Sequence, residues 1–186
     1  MKHFYNEKNM NKEFLLKNLR TVPDFPKPGI RFYDVTTLFK NYECNHEILE
    51  ATYEIYKDKG ITKVVGVESR GFVLGSALAM KLKAGFIMAR KPGKLPAETI
   101  SESYSKEYGT DTIEIHKDAI DENDVVLLHD DLLATGGTML AVYNLVQKFH
   151  PKETYINFII ELPALKGRSI FNPQTEITSL LELEGD

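Results

Sequence analysis

Asp130 and Asp131 stand just before the run Ala134-Thr135-Gly136-Gly137-Thr138. The two parts ask for different chemistry. Gly136 and Gly137 leave main-chain amides open to an anion and tolerate unusual dihedrals. With hydroxyls from Thr135 and Thr138, and a helix beginning there, the run suits a phosphate. The carboxylates cannot hold that phosphate. They suit sugar hydroxyls or a divalent cation. The segment therefore asks for a sugar phosphate such as ribose 5-phosphate. Neither G-x-x-x-x-G-K-[ST] nor G-x-G-x-x-G is present, so the two common nucleotide fingerprints are excluded.

Two further clusters carry charge. Glu68-Ser69-Arg70 follows an apolar run, and Arg90, Lys91 and Lys94 lie within five residues after another. A protein of net charge −4 that gathers cations at such a point is equipped for a local anion. Residues 97–109 are polar, rich in Ser, Glu and Tyr, and bracketed by Pro96 and Gly109. This is the profile of a mobile loop, and its length invites a role as a lid over a site. Glu98, Glu102 and Glu107 are equivalent acid/base candidates there on residue type alone.

These residues need elements to hold them. The four apolar residues Val125-Val126-Leu127-Leu128 suit a strand buried on both faces of a parallel sheet, ending at the acid pair. Residues 139–149 carry apolar positions at helical spacing. The pattern repeats upstream: residues 62–67 read as a strand and 71–82 as a helix. Glu68, Ser69 and Arg70 thus fall at a strand's carboxyl end, where open α/β sheets bind ligands. Residues 85–89 and 155–160 read as strands, 110–116 as an alternating strand, and 177–183 as a closing strand or short helix. Helices are expected over 12–20 and 47–59, the latter ended by Gly60. Between residues 22 and 29, three prolines and a glycine exclude helix and central strand and make a stiff loop. Residues 30–35 alternate like a short strand. The expectation is one α/β domain over residues 12–186, with a largely parallel central sheet flanked by helices. Residues 1–11, polar and rich in Asn and Lys, read as a flexible extension.

Composition narrows the function. At 186 residues the chain can bury a real core. An acidic balance argues against broad nucleic-acid binding. No apolar run is long enough for a membrane. A single cysteine, Cys44, fits a reducing cytoplasmic setting.

The wording Asp-Asp-Leu-Leu-Ala-Thr-Gly-Gly-Thr resembles the phosphoribosyl-pyrophosphate motif of the type I phosphoribosyltransferases, in the form carried by their adenine-specific members. Four other stretches resemble the same group. They are Pro23-Asp24-Phe25-Pro26-Lys27-Pro28-Gly29-Ile30 with Phe32 and Asp34, Glu68 to Phe72, Glu102 to Thr110, and Glu161 to Arg168, which resembles the segment downstream of the phosphate site. The resemblance implies the type I fold, with a hood at about residues 21–36 and a lid at about 97–109. It implies transfer of a phosphoribosyl group from phosphoribosyl pyrophosphate to adenine, giving AMP and pyrophosphate. Mg²⁺ would be held mainly by the substrate near Asp130 and Asp131, and a homodimer is implied. Residue by residue, Ala134 to Thr138 would take the 5-phosphate and Asp130 and Asp131 the ribose. Glu68, Ser69, Arg70, Arg90, Lys91 and Lys94 would take pyrophosphate, with a cis peptide between Glu68 and Ser69. Ile30, Arg31, Phe32, Tyr33, Arg70 and Leu132 would meet adenine, although many members have Arg where this chain has Tyr33. Glu107 would be the acid/base group and Tyr108 would cover the substrate. His129, where the group carries a small aliphatic residue, reads as structural. The rivals are a transferase for another nucleobase, a non-catalytic nucleotide sensor on the same fold, and a plain sugar-phosphate binder.

Overall fold

The computed structural model describes residues 10–105 and 109–185. Its centre is a parallel five-stranded sheet in the order β4-β3-β7-β8-β9. The strands are β3 (Lys63–Val67), β4 (Gly85–Ala89), β7 (Val125–Leu133), β8 (Glu153–Glu161) and β9 (Ile177–Glu182). Helices α3 (Tyr42–Tyr56) and α4 (Gly71–Leu82) pack on one face. Helix α5 (Gly137–Gln147) and an antiparallel ribbon, β5 (Thr99–Ser105) with β6 (Thr110–His116), pack on the other. Side-chain alternation decides which residue goes where. Val65, Val67, Val126 and Leu128 join the core under α5 and the ribbon. Val64, Val125 and Leu127 join the core under α3 and α4.

The hood is a small sheet, β1 (Arg20–Val22) antiparallel to β2 (Phe32–Asp34), preceded by α1 (Lys12–Asn18) and followed by α2 (Thr36–Phe39). It closes over a third core that holds Leu15, Tyr33, Leu38, Ile48 and Ile160.

Several expectations need correction. Met10 is buried and Asn11 caps α1, its side chain accepting from the Phe14 amide at 3.0 Å. Both had been assigned to the N-terminal extension. Helix α3 begins at Tyr42, because the Asn41 side chain caps it by accepting from the Cys44 amide at 3.1 Å. Strand β7 does not stop before the acid pair. It runs through Asp130 and Asp131 to Leu133, since β8 pairs with it along its whole length, Leu132 opposite Ile160 and Leu133 opposite Glu161. Most of the expected lid is strand: residues 99–105 pair with 110–116, with Tyr104 opposite Asp111.

Strand β3 crosses through α4 to β4 on one side, and β7 crosses through α5 to β8 on the other. The two loops part between β3 and β7, which are adjacent. This is the topological switch point, where open α/β sheets form their ligand crevice. No described helix is long and apolar enough to cross a membrane.

Candidate functional site

Residues from both loops meet at the switch point. Gly136 caps α5 with φ 83°, in the left-handed region that favours glycine. Helix α5 therefore starts as a tight turn whose amides face outward. Asp130 and the run from Leu132 to Thr138 line a cavity of about 120 Å³ there. Ala134, Thr135, Gly136, Gly137 and Thr138 are thus brought to one concave surface at a helix N-terminus, the arrangement that binds phosphate.

The acid pair stands beside this cradle. Asp131 is buried, and Arg70 Nε donates to its Oδ2 at 2.6 Å. The Asp131 amide donates to Asp130 Oδ1 at 2.9 Å. Burial, and then the neighbouring Asp131 charge, push the Asp130 carboxyl well above the usual carboxylate range. Helix α4 can approach the pair this closely because it begins with Gly71. A Cβ on Gly71 would lie 2.6 Å from the His129 carbonyl oxygen and 3.1 Å from Asp130 Oδ1.

His129 lies beneath, fully buried, its Nδ1 2.9 Å from Asn157 Oδ1. The Asn157 amide nitrogen donates to Thr178, so its oxygen faces the imidazole and Nδ1 carries the proton. Burial lowers the imidazole to about 4. His129 is therefore neutral at physiological pH and adds no charge under the acid pair, in keeping with a structural part.

The other loop supplies the cations. The peptide between Glu68 and Ser69 is cis, as the resemblance implied. The Glu68 carboxylate faces Arg90, which donates from Nε at 3.2 Å and from Nη2 at 3.1 Å, and it accepts from the Lys91 amide at 2.9 Å. The Arg90 bond, together with the Lys91 amide, holds the Glu68 carboxyl below its usual range against the cost of burial. The Glu68 side chain thus organises cations, and an anion could only meet the main chain at this residue. Lys91 Nζ reaches Asp111 Oδ2 at 2.7 Å. Lys94 is exposed and gives its carbonyl to Arg90 Nη1 at 3.2 Å.

Strand alternation sorts the expected base-binding residues. The Phe32 ring turns to the site, with the Arg70 guanidinium 5.7 Å from its centroid and Phe25 edge-on at 5.1 Å. Tyr33 points the other way. It is buried, and its hydroxyl donates to the Glu184 carbonyl at 2.8 Å. Arg31 also turns towards Glu184, at 3.9 Å. The Tyr33 side chain is thus turned away from the cleft, which leaves its backbone. Leu132 lines the cleft from β7, and Ile30 is exposed on the hood. Glu107 and Tyr108 lie outside the described residues.

Sequence reasoning missed Tyr104 and Asp111. The Thr138 hydroxyl donates to Tyr104 Oη at 3.1 Å, and Tyr104 donates to Asp111 Oδ2 at 3.4 Å. One rung of the ribbon, Tyr104 opposite Asp111, therefore touches both the Thr138 end of the cradle and Lys91. Pairing the alternating run Thr110 to His116 with the polar residues before it would have set these two residues opposite each other. Among the described residues, no group of three or more His, Cys, Asp or Glu is placed to hold a metal.

Comparison with known proteins agrees with this geometry. The phosphoribosyl transferase domain family matches residues 34–184. An adenine phosphoribosyltransferase of Phocaeicola vulgatus is 69% identical over 174 residues, which are 94% of this chain and 100% of that protein. The crystal structure of adenine phosphoribosyltransferase from Rhodothermus marinus superposes with a TM-score of 0.86 at 49% identity, covering 92% of this chain and 97% of that one. The enzyme of Giardia lamblia, solved with 9-deazaadenine, gives a TM-score of 0.88 at 39% identity, covering 94% of this chain and 99% of that one. With a parallel sheet whose switch point carries the acid pair and cradle, and with relatives of this identity and coverage, the chain belongs to the phosphoribosyl transferase family.

Proposed function

We infer that this chain is a purine-salvage transferase that moves the 5-phosphoribosyl group of phosphoribosyl pyrophosphate onto adenine, giving AMP and pyrophosphate. The observation that carries the reading is the left-handed Gly136 turn opening α5 directly beside the Asp130–Asp131 pair. That arrangement supports a ligand with a phosphate at one end and a diol next to it.

Position and resemblance support the following roles. The amides of residues 134–138 and the Thr135 and Thr138 hydroxyls hold the 5-phosphate and set the register of the sugar. Asp130 and Asp131 hold the ribose hydroxyls, with Arg70 fixing Asp131. The bond from C1 of the ribose to pyrophosphate breaks as the adenine nitrogen bonds to C1. The protein forms no covalent bond, so catalysis is positioning and electrostatics. Arg90, Lys91, Lys94 and the Ser69 main chain receive the diphosphate. Phe32 and Leu132 flank the base, with backbone contacts from Ile30, Arg31 and Tyr33. By resemblance, Glu107 takes the proton lost from the attacking nitrogen, and Tyr108 covers the substrate.

The donor set fits Mg²⁺. Asp130 and Asp131 offer hard carboxylate oxygens but no closed cage, which suits an ion ligated mostly by substrate oxygens and water. When bound, the ion neutralises the leaving diphosphate. A cytoplasmic setting is supported by Cys44, free and buried. A homodimer is supported by the outer face of α4 and the adjoining edge strand β4, where Val73, Met80 and Met88 are 46%, 80% and 42% exposed. A monomeric mass by light scattering would remove the dimer.

The test is incubation with adenine, phosphoribosyl pyrophosphate and Mg²⁺, reading AMP, with guanine, hypoxanthine and orotate in parallel. Adenine alone should give product. Asp130→Asn with Asp131→Asn should abolish turnover. Asp130→Asn alone should leave the melting temperature near wild type, since Asp130 is already costly as an anion, and Asp131→Asn should lower it because Arg70 loses a buried partner. Product from another base, or normal turnover in the double variant, would overturn the assignment.

A further inference from the structure

The phosphate cradle has a back wall that its own residues do not supply. After β8 the chain makes two short 3₁₀ turns, Pro163–Leu165 and Gly167–Ile170. A Cβ on Gly167 would lie 2.1 Å from the Ala134 carbonyl oxygen. A Cβ on Gly136 would lie 2.7 Å from the Gly167 carbonyl oxygen and 3.0 Å from Ile170 Cδ1. Cradle and turn are thus packed backbone to backbone, and a shift in one must move the other.

One arginine ties the turn down. Arg168 Nε donates to Glu161 Oε1 at 3.0 Å, and its Nη2 donates to Glu161 Oε2, making a fork on one carboxylate. Nη1 donates to the Ile177 carbonyl at 2.7 Å. Glu161 is buried, and it also accepts from Ser179 Oγ at 2.7 Å. Burial alone would raise its carboxyl, but the bonds from Arg168 and Ser179 outweigh that and lower it. Glu161 stands opposite Leu133 in the β7–β8 register, and the Leu162 amide donates to the Leu133 carbonyl at 2.9 Å. The clamp is therefore anchored to the strand end from which the cradle departs.

We propose that Arg168 and Glu161 are positioning residues for the 5-phosphate: by clamping the Gly167 turn they fix residues 134–136, and so the height at which the cradle amides meet the phosphate. This rests on the reading of residues 134–138 as the phosphate site. Neither side chain lines the cleft, so the clamp acts through the turn. A purely structural tie between β8 and β9 would affect stability alone. A positioning clamp affects phosphate-bearing ligands and spares adenine.

The test uses the full chain and Arg168→Lys, which keeps the charge but loses the fork. The measurements are KM for phosphoribosyl pyrophosphate, kcat, the affinities for ribose 5-phosphate and for adenine, and the melting temperature. For protein folded at the assay temperature, KM and the ribose 5-phosphate dissociation constant should both rise about tenfold, as displacement of positioned groups predicts. The adenine affinity and kcat at saturation should stay within about twofold, a difference near 0.4 kcal/mol. Unchanged phosphate affinity, or an equal loss for adenine, would overturn the proposal. Should Arg168→Lys fail to fold, Ser179→Ala removes one bond to Glu161 and is read the same way. A two- to threefold rise confined to phosphate-bearing ligands supports the clamp, on the order of 0.5 kcal/mol, and no rise overturns it. Wild-type protein that makes no AMP defeats the transferase reading. Active wild type with an indifferent Arg168→Lys defeats only the clamp.

Discussion

The two ends of the cleft proposed to bind anions are built in opposite ways. The end proposed for the 5-phosphate is main chain, with glycine amides at the start of a helix packed against a second backbone turn. The end proposed for pyrophosphate relies, beside the Ser69 main chain, on side chains, with Arg90 and Lys91 on long stems held by Glu68 and Asp111. A main-chain cradle is pre-organised, so little order is lost on binding and its geometry tolerates no added atom. Cations on long stems, Arg90 27% and Lys91 53% exposed, could follow a leaving group that must depart. On the proposed function, the rigid end would set the register of the substrate and the adaptable end would handle the fragment that leaves.

The sharpest way to break this contrast is to add one methyl group to the rigid end. Gly136→Ala places a Cβ within 2.7 Å of the Gly167 oxygen, at a φ of 83° that alanine adopts only with strain. The KM for phosphoribosyl pyrophosphate should rise about a hundredfold, the cost of misplacing bound groups by an ångström. Adenine affinity should hold. A change under threefold would mean the cradle is as adaptable as the cationic end.

The same contrast explains what the sequence made legible. Gly71–Leu82, Gly85–Ala89 and Thr110–His116 fall where periodicity places them, because each is an apolar pattern bounded by glycine, by a turn or by charge. The cradle was readable because it is local: strand end, acids, glycines and helix lie within fifteen residues. What escaped depends on distant partners. Asp130 and Asp131 are poor strand formers, yet β8 alongside keeps them in β7. Thr99 to Ser105 is polar enough to pass for a loop, and only pairing with β6 makes it a strand. No spacing rule joins Glu68 to Arg90, Lys91 to Asp111 or Glu161 to Arg168. The direction of the Tyr33 side chain, into the core, escaped for a different reason. Alternation in β2 was visible, but which face met the core was not.

At the adaptable end, two substitutions should move affinity in opposite directions. Lys91→Ala removes a cation from the diphosphate and should weaken pyrophosphate binding about tenfold, the size of one charge-assisted contact. Asp111→Asn removes a carboxylate that competes for the same ammonium. Because the pair is partly exposed, its strength is about 1 kcal/mol or less, so pyrophosphate should bind two- to fivefold tighter. In the double variant Asp111 should no longer matter. Titration calorimetry with Mg²⁺ and pyrophosphate reads all three, and weaker binding by Asp111→Asn would show that Asp111 supports Lys91 rather than competing for it.

The smallest effect compares the two glutamates, one behind each end. Glu68 and Glu161 each hold an arginine, and both carboxyls are lowered, Glu68 chiefly by its Arg90 bond. A carboxyl lowered in the folded state adds stability above its unfolded value, about 4.3, and loses it as pH falls through the folded value. Both pairs should therefore be intact at neutral pH and fail only on the acid limb. The Glu68 side chain is 20% exposed and that of Glu161 is 6% exposed, so water weakens the first pair more. In melts between pH 6 and 3, Glu68→Gln should flatten the acid loss by about 1 kcal/mol or less. Glu161→Gln should flatten it further and lower the whole curve, because Arg168 would lose a buried anion. Equal effects would mean that the two ends are equally solvated, and the contrast between a fixed and an adaptable subsite would then rest on the glycines alone.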